Sequence, residues 1–154
     1  MAGSKAMDAA LNLLTRRDHS SAELSRKLAA KGFPAEEIEA TLSRLHGLCY
    51  LDDRRYAEQW ATRAVREGKA VGHRLRLELR RRGIPPEIAE AAMAAAGENL
   101  DEREAIGELL DRRFAGFDPA TATPMEKRRV VGWFQRRGFS LSAIFDALRL
   151  AGEE

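Results

Sequence analysis

LSRKLAAKGF (residues 24–33), LRLELRRRGI (residues 75–84) and VVGWFQRRGF (residues 130–139) are one phrase written three times. In each, an apolar residue recurs after four positions, a basic residue follows, and a Gly and a large apolar residue close the phrase. The copies are Leu24, Leu28, Lys31, Gly32, Phe33; then Leu75, Leu79, Arg82, Gly83, Ile84; then Val130, Phe134, Arg137, Gly138, Phe139. A four-residue gap puts both apolar side chains on one stripe of an α-helix, and Gly readily takes the left-handed conformation that ends one. The glycines lie 51 and then 55 residues apart. A unit of that size is too small to bury a core alone, so the repetition reads as a tandem array of helical units. Such an array is usually a binding surface rather than a catalytic pocket.

Working outward from each phrase gives nine helices in three groups of three, an all-α chain in which strand signals are almost absent. The groups are residues 8–50, 51–97 and 98–152. In the first, a helix from about Asp8 to Arg17 precedes a capping box at Ser20 and Glu23, and a third helix covers about Ala35 to His46. In the second, Asp52 or Asp53 caps a helix to about Glu67, the phrase helix runs from about His73 to Arg82, and Pro85-Pro86 open a short helix to about Ala95. In the third, a helix from Asn99–Asp101 to about Phe114 leads to the longest loop, Gly116 to Thr123. Thr123 and Glu126 form a second capping box, and Ser140 caps the last helix. Phe33 with Ile38, and Phe139 with Ile144, sit at hydrophobic-staple spacing.

The chain has 154 residues, of which 44% are hydrophobic and 32% charged, so real cores sit under a densely charged surface. A net charge of +2 hides segregation. Residues 62–83 carry +6, residues 84–126 carry −7, and residues 127–137 hold five cations and no acid. Such alternation points to a partner with a charge pattern of its own. The strongest signal is the helix around Leu75 and Leu79. His73, Arg74, Arg76, Arg80 and Arg81 fall on the arc opposite that stripe, with an exposed Leu77 among them. Arginine suits bidentate contact with phosphate or carboxylate, although a charge run is more often a solvated face. Arg26, Lys27 and Lys31 repeat the theme in the first group, and Lys127, Arg128, Arg129, Arg136 and Arg137 in the third. Trp60 falls with Tyr56 and Ala64 on a core stripe, while Trp133, between Arg129 and Arg137, reads equally as core edge or contact residue.

Other chemistries find little support. Cys49 stands alone, so no intramolecular disulfide and no thiolate metal cluster is expected. His19, His46 and His73 are scattered, without a metal-ligand or nucleophile spacing, and no phosphate-cradling Gly motif is present. No enzyme, metal or cofactor is expected. Neither a signal peptide nor a membrane span is visible, so a cytoplasmic protein without membrane contact is expected. A helix-turn-helix module reading duplex DNA is the competing function, but few Asn or Gln lie on the basic helices.

LNLLTRRDHSSAELSRKLAAKGFPAEEIEATLSRL, then YLDDRRYAEQWA, then GHRLRLELRRRGIPPEIAEAAM, together about residues 10–96, resemble the RecX regulatory proteins of bacteria. Order and spacing of His19-Ser20 with Glu23-Leu24, Lys31-Gly32-Phe33, Leu51-Asp52-Asp53 and Glu78-Leu79 with Gly83-Ile84 carry the resemblance; residues 97–154 match more loosely. Arg82 stands where the family commonly has Lys, and Ile88 falls one position early against Ile38 and Ile144. The resemblance implies three tandem three-helix repeats in an elongated, curved array, right-handed or similar. It also implies a monomer that binds the RecA recombinase filament on single-stranded DNA, with duplex DNA as a further ligand. Inhibition of strand exchange, ATP hydrolysis and co-protease activity would place it in recombination regulation, DNA repair and the SOS response. The contact residues expected from the basic arcs are Arg26, Lys27, Lys31, Arg74, Arg76, Arg80, Arg81, Lys127, Arg128, Arg129 and Arg136.

Overall fold

The computed structural model describes residues 2–153, and these form nine α-helices and no strand. The first group is α1 (Ala2–Arg16), α2 (Ser21–Ala30) and α3 (Ala35–Gly47). The second is α4 (Asp53–Glu67), α5 (Gly72–Arg81) and α6 (Pro86–Gly97). The third is α7 (Glu102–Arg113), α8 (Pro124–Arg136) and α9 (Leu141–Glu153). The main departure from the sequence reading is α1, which starts at Ala2 rather than near Asp8. Buried Ala6, four residues before buried Ala10, extends its apolar stripe by a turn.

The first and third three-helix groups each close around the stripe of their phrase helix. In the first, Leu24 and Leu28 are fully buried with Ala10, Ile38, Leu45 and Leu51. In the third, Val130 and Phe134 meet Ile106, Leu109, Phe139, Ile144 and Leu148, and Val71 joins the same core. Phe134 is the pivot there, with Phe139 edge-on at 5.6 Å and Phe114 tilted at 6.2 Å. The second group buries smaller side chains, Ala57, Ala61, Ala64, Ala89 and Ala92, as well as Leu75, Leu79 and Ile84. Ala89 sits five residues after Ile84, as Ile38 does after Phe33 and Ile144 after Phe139, and it takes their buried place while Ile88 is half-buried.

By contacts the chain forms two compact units, and the middle group is divided between them. The first unit holds the chain up to Trp60 together with Leu79–Ala92. The second holds Ala61–Glu78 and the chain from Met93 onward.

One junction occurs in both units. In the first, the Ser20 side chain caps α2 by accepting the Glu23 N–H at 3.1 Å, and its hydroxyl donates to the Arg82 carbonyl just past α5. The Arg26 guanidinium reaches the Arg81 carbonyl at 3.2 Å. Gly83, at φ +78°, lies so close that a Cβ there would stand 2.2 Å from the Ala22 Cβ. In the second unit the Val71 N–H donates to the Arg137 carbonyl just past α8, at 2.8 Å. Gly138, at φ +98°, would place a Cβ 1.9 Å from the Val71 carbonyl oxygen. In both places carbonyls left over at a helix C-terminus meet donors at the start of another helix, so the partial charges of the two ends attract. These glycines are therefore more than helix stops.

Candidate functional site

In the first unit the expected cations have different lives. Arg26 is exposed, yet its guanidinium is held by the Arg81 carbonyl. Lys27 is half-buried, and its ammonium donates to His19 Nε2 at 2.9 Å. His19 is buried, and its Nδ1–H donates to the Arg17 carbonyl at 3.0 Å, so the ring sits neutral between two partners. Burial first, and then the positive charges of Arg17 and Lys27, pull the His19 imidazole below its ordinary value, against the opposing Arg17 carbonyl bond and Glu23. Lys31, Arg80 and Arg81 are exposed around the ends of α2 and α5. Arg80 and Arg81 occupy the last turn of α5, where the helix dipole already favours cations.

The carboxylates expected to cap helices also build this unit. Asp52 accepts the Arg55 N–H at 3.1 Å and caps α4, whereas Asp53 accepts the Ser21 N–H at 2.8 Å and so braces the start of α2. The Glu23 carboxylate accepts from the Tyr56 hydroxyl and from Arg17 at 2.9 Å. Burial alone would raise its pKa, but these bonds and the Ser20 backbone outweigh burial and hold it below the ordinary carboxylate value. Burial, followed by the bond to Glu23, pushes the Tyr56 hydroxyl up to about 12. Trp60 is half-buried, with the Arg82 guanidinium 4.0 Å above its ring.

In the second unit Arg74 pairs with Glu78 at 2.8 Å, one helical turn on, and is half-buried. Arg76 is exposed. Leu77 is half-buried rather than the exposed residue its place on the arc implies. Lys127, Arg128 and Arg129 are exposed in the second turn of α8. The Thr123–Glu126 box closes the start of that helix: the Glu126 N–H donates to Thr123 Oγ1 at 3.1 Å, and the Thr123 N–H to the Glu126 carboxylate at 3.3 Å. Three consecutive cations so near a positive helix end add nothing to helix stability.

Trp133 proves to be both core edge and surface residue. It is half-buried, edge-on to Phe134 at 5.0 Å and to Phe114 at 5.4 Å. The Arg137 guanidinium lies 3.5 Å from its ring centre and donates to its carbonyl at 3.2 Å. Arg113, from the end of α7, stands 5.7 Å from the same ring. Burial first, and then the like charges of Arg113, Arg136 and Arg74, draw the Arg137 guanidinium below its ordinary range. Arg113 is the residue that sequence reading missed, because it lies in the segment with the strongest negative balance. The basic pair Arg112-Arg113 just before Phe114 is the signal that was available.

No three His, Cys, Asp or Glu side chains among the described residues are grouped to hold a metal ion. No helix among them is long and apolar enough to cross a membrane.

Tandem three-helix units with arginine-rich helix ends define an all-α repeat protein. The chain belongs to the RecX family of regulatory proteins: the family models for the first, second and third RecX three-helix domains match residues 6–45, 52–93 and 101–148. It is 46% identical over 131 residues to the regulatory protein RecX of Trichlorobacter lovleyi, covering 85% of each chain. It is 40% identical over 153 residues to that of Thermus thermophilus, covering 99% of this chain and 96% of the relative. The crystal structure of RecX from Lactobacillus salivarius has the same fold, with a TM-score of 0.75 at 21% identity over 99% of this chain and 98% of that one.

Proposed function

We propose that this protein binds the filament that RecA recombinase forms on single-stranded DNA and inhibits its ATP hydrolysis, strand exchange and co-protease activity. Family membership over nearly the whole chain supports the reading, and the observation that carries it here is the unpaid cationic turn of α8. Lys127, Arg128 and Arg129 are exposed, and among the described residues no ion pair or hydrogen bond occupies their side chains. Near the positive end of a helix they are a local liability, so an anionic partner is the rationale for them. Lys31, Arg76, Arg80, Arg81 and Arg136 contribute further contacts in this reading. Arg26, Lys27 and Arg74 contribute less directly, because the Arg81 carbonyl, His19 and Glu78 engage them. Repeats at residues 8–50, 51–97 and 98–152 would each touch the filament weakly, and the contacts reinforce one another through effective concentration. A monomer in the cytoplasm, acting on recombination, DNA repair and the SOS response, fits this role.

The test is recombinase ATPase on single-stranded DNA with and without the protein, and with a Lys127→Gln, Arg128→Gln, Arg129→Gln variant. Inhibition by the parent and weaker inhibition by a folded variant are expected. An ATPase rate untouched by the parent protein at saturating concentration would overturn the proposal.

A further inference from the structure

We propose that Arg113 and Arg137, gathered on Trp133, together with Arg136 next to Arg137 in the chain, form a site for the phosphodiester backbone of single-stranded nucleic acid. It rests on the reading above only in taking that strand to be the one inside the filament. Arg113 and Arg137 arrive from two helices onto one indole, 5.7 and 3.5 Å from its centre. Phe114 and Phe134 lock the indole edge-on at 5.4 and 5.0 Å, so the ring cannot swing away from its guanidinium. Arg137 is fixed further by its bond to the Trp133 carbonyl. Arg136 precedes it in the chain, exposed, with Nη1 3.2 Å from where a Cβ on Gly132 would stand. Arg74 flanks the group, its Cβ 3.0 Å from a Cβ placed on Gly138, but Glu78 already neutralises it.

No carboxylate among the described residues pairs with Arg113, Arg136 or Arg137. A single arginine on a tryptophan is a common structural stack. Three arginines drawn together without an acid repel one another, and packing alone gives no reason to gather them. Their repulsion is relieved by a ligand with several closely spaced negative charges. A nucleic-acid strand carries one charge per about 3.4 Å, and a single strand, unlike a stiff duplex, can follow cations set at unequal depths. Guanidinium forks are suited to phosphate oxygens. Carboxylates on a folded protein surface lack that regular density.

The experiment uses the full chain with Trp60→Phe, so that Trp133 is the remaining tryptophan, and titrates it with oligothymidylate as the probe. The expected result is a saturable change in Trp133 emission on binding. Arg113→Gln with Arg136→Gln should weaken binding at least tenfold and lower the log–log salt slope by about 0.7 per lost contact. Arg112→Gln removes the same charge from the neighbouring exposed position and should cost less than twofold. The proposal fails if the double variant, shown folded by circular dichroism, binds like the parent. It also fails if Arg112→Gln weakens binding as much as Arg113→Gln, which would leave only diffuse charge. Polyglutamate binding as tightly as the oligonucleotide would overturn the choice of nucleic acid. Recombinase is absent from this assay, so lack of ATPase inhibition by the parent would fell the proposed function and leave this site standing.

Discussion

Gly32, Gly83 and Gly138 look alike in the sequence, and the structure separates them. All three have positive φ, so alanine at any of them meets left-handed strain of about 1–2 kcal/mol. Gly32 has nothing within 4 Å of the added Cβ, whereas at Gly138 a backbone carbonyl oxygen stands 1.9 Å away. Gly32→Ala is therefore expected to cost only the strain, and Gly138→Ala a further 1–3 kcal/mol or so of overpacking. Urea midpoints that coincide for the two variants would show that the junction relaxes freely. The need for a glycine was legible as a helix stop; its second duty was not, because the residue it touches comes from another repeat. His19 has the same history. Its spacing ruled out a metal site but gave no sign of the Lys27 ammonium on its ring. Its folded pKa is lowered, so its contribution to stability is present above the ordinary 6.5 and is lost as pH falls through the folded value. Stability should decline below about pH 6.5 more steeply in the parent than in His19→Gln; parallel profiles would mean that the imidazole is not linked to folding.

At the scale of an element, the stripes of α2, α5 and α8 were read correctly because a four-residue gap has one meaning on a helix. Thr123–Glu126 also closed as a reciprocal cap. In the Ser20–Glu23 pair the hydroxyl accepts the Glu23 N–H, and the carboxylate, supported by the Ser20 backbone, also serves Tyr56 and Arg17. Local spacing could not show that, since Tyr56 is 33 residues away. Removing the Tyr56 hydroxyl, as in Tyr56→Phe, should cost about 1.5–3 kcal/mol, the range for a hydrogen bond to a charged acceptor. An unchanged thermal midpoint would mean that Arg17 and water compensate. The basic arcs were legible as charge but not as availability, because partners such as Glu78 and the Arg81 carbonyl fix Arg74 and Arg26. Neutralising Lys127, Arg128 and Arg129 should leave α8 as stable as before, or better by a few tenths of a kcal/mol, since cations near a helix start oppose its dipole. A clear loss of helicity in circular dichroism would show that these side chains support the fold.

For the whole molecule, threefold repetition was plain in the sequence, but division of its contacts into two units was not. The reason lies in the middle group, whose buried set is dominated by alanine, while the third group buries two phenylalanines. Small side chains bury less apolar surface, at about 25 cal/mol per Å², and ordering a short chain is costly. An isolated peptide of residues 51–97 is thus expected to remain largely unfolded, and strong helical circular dichroism from it would show an autonomous repeat. Leu79 is fully buried, so Leu79→Ala should cost about 2–5 kcal/mol and reduce recombinase inhibition although no charge is removed. Normal inhibition by that destabilised variant would leave charge alone as the basis of function. The ends of α5 also set where this chain can change its length. An extra residue in loop 115–123 merely enlarges a connection. An extra residue between Leu75 and Leu79 turns the following side chains by about 100°, so both leucines can no longer face inward. Insertions in natural variants of this protein should therefore collect in the loop and be missing from α5, where the helix acts as a gauge whose ten residues must be kept in number.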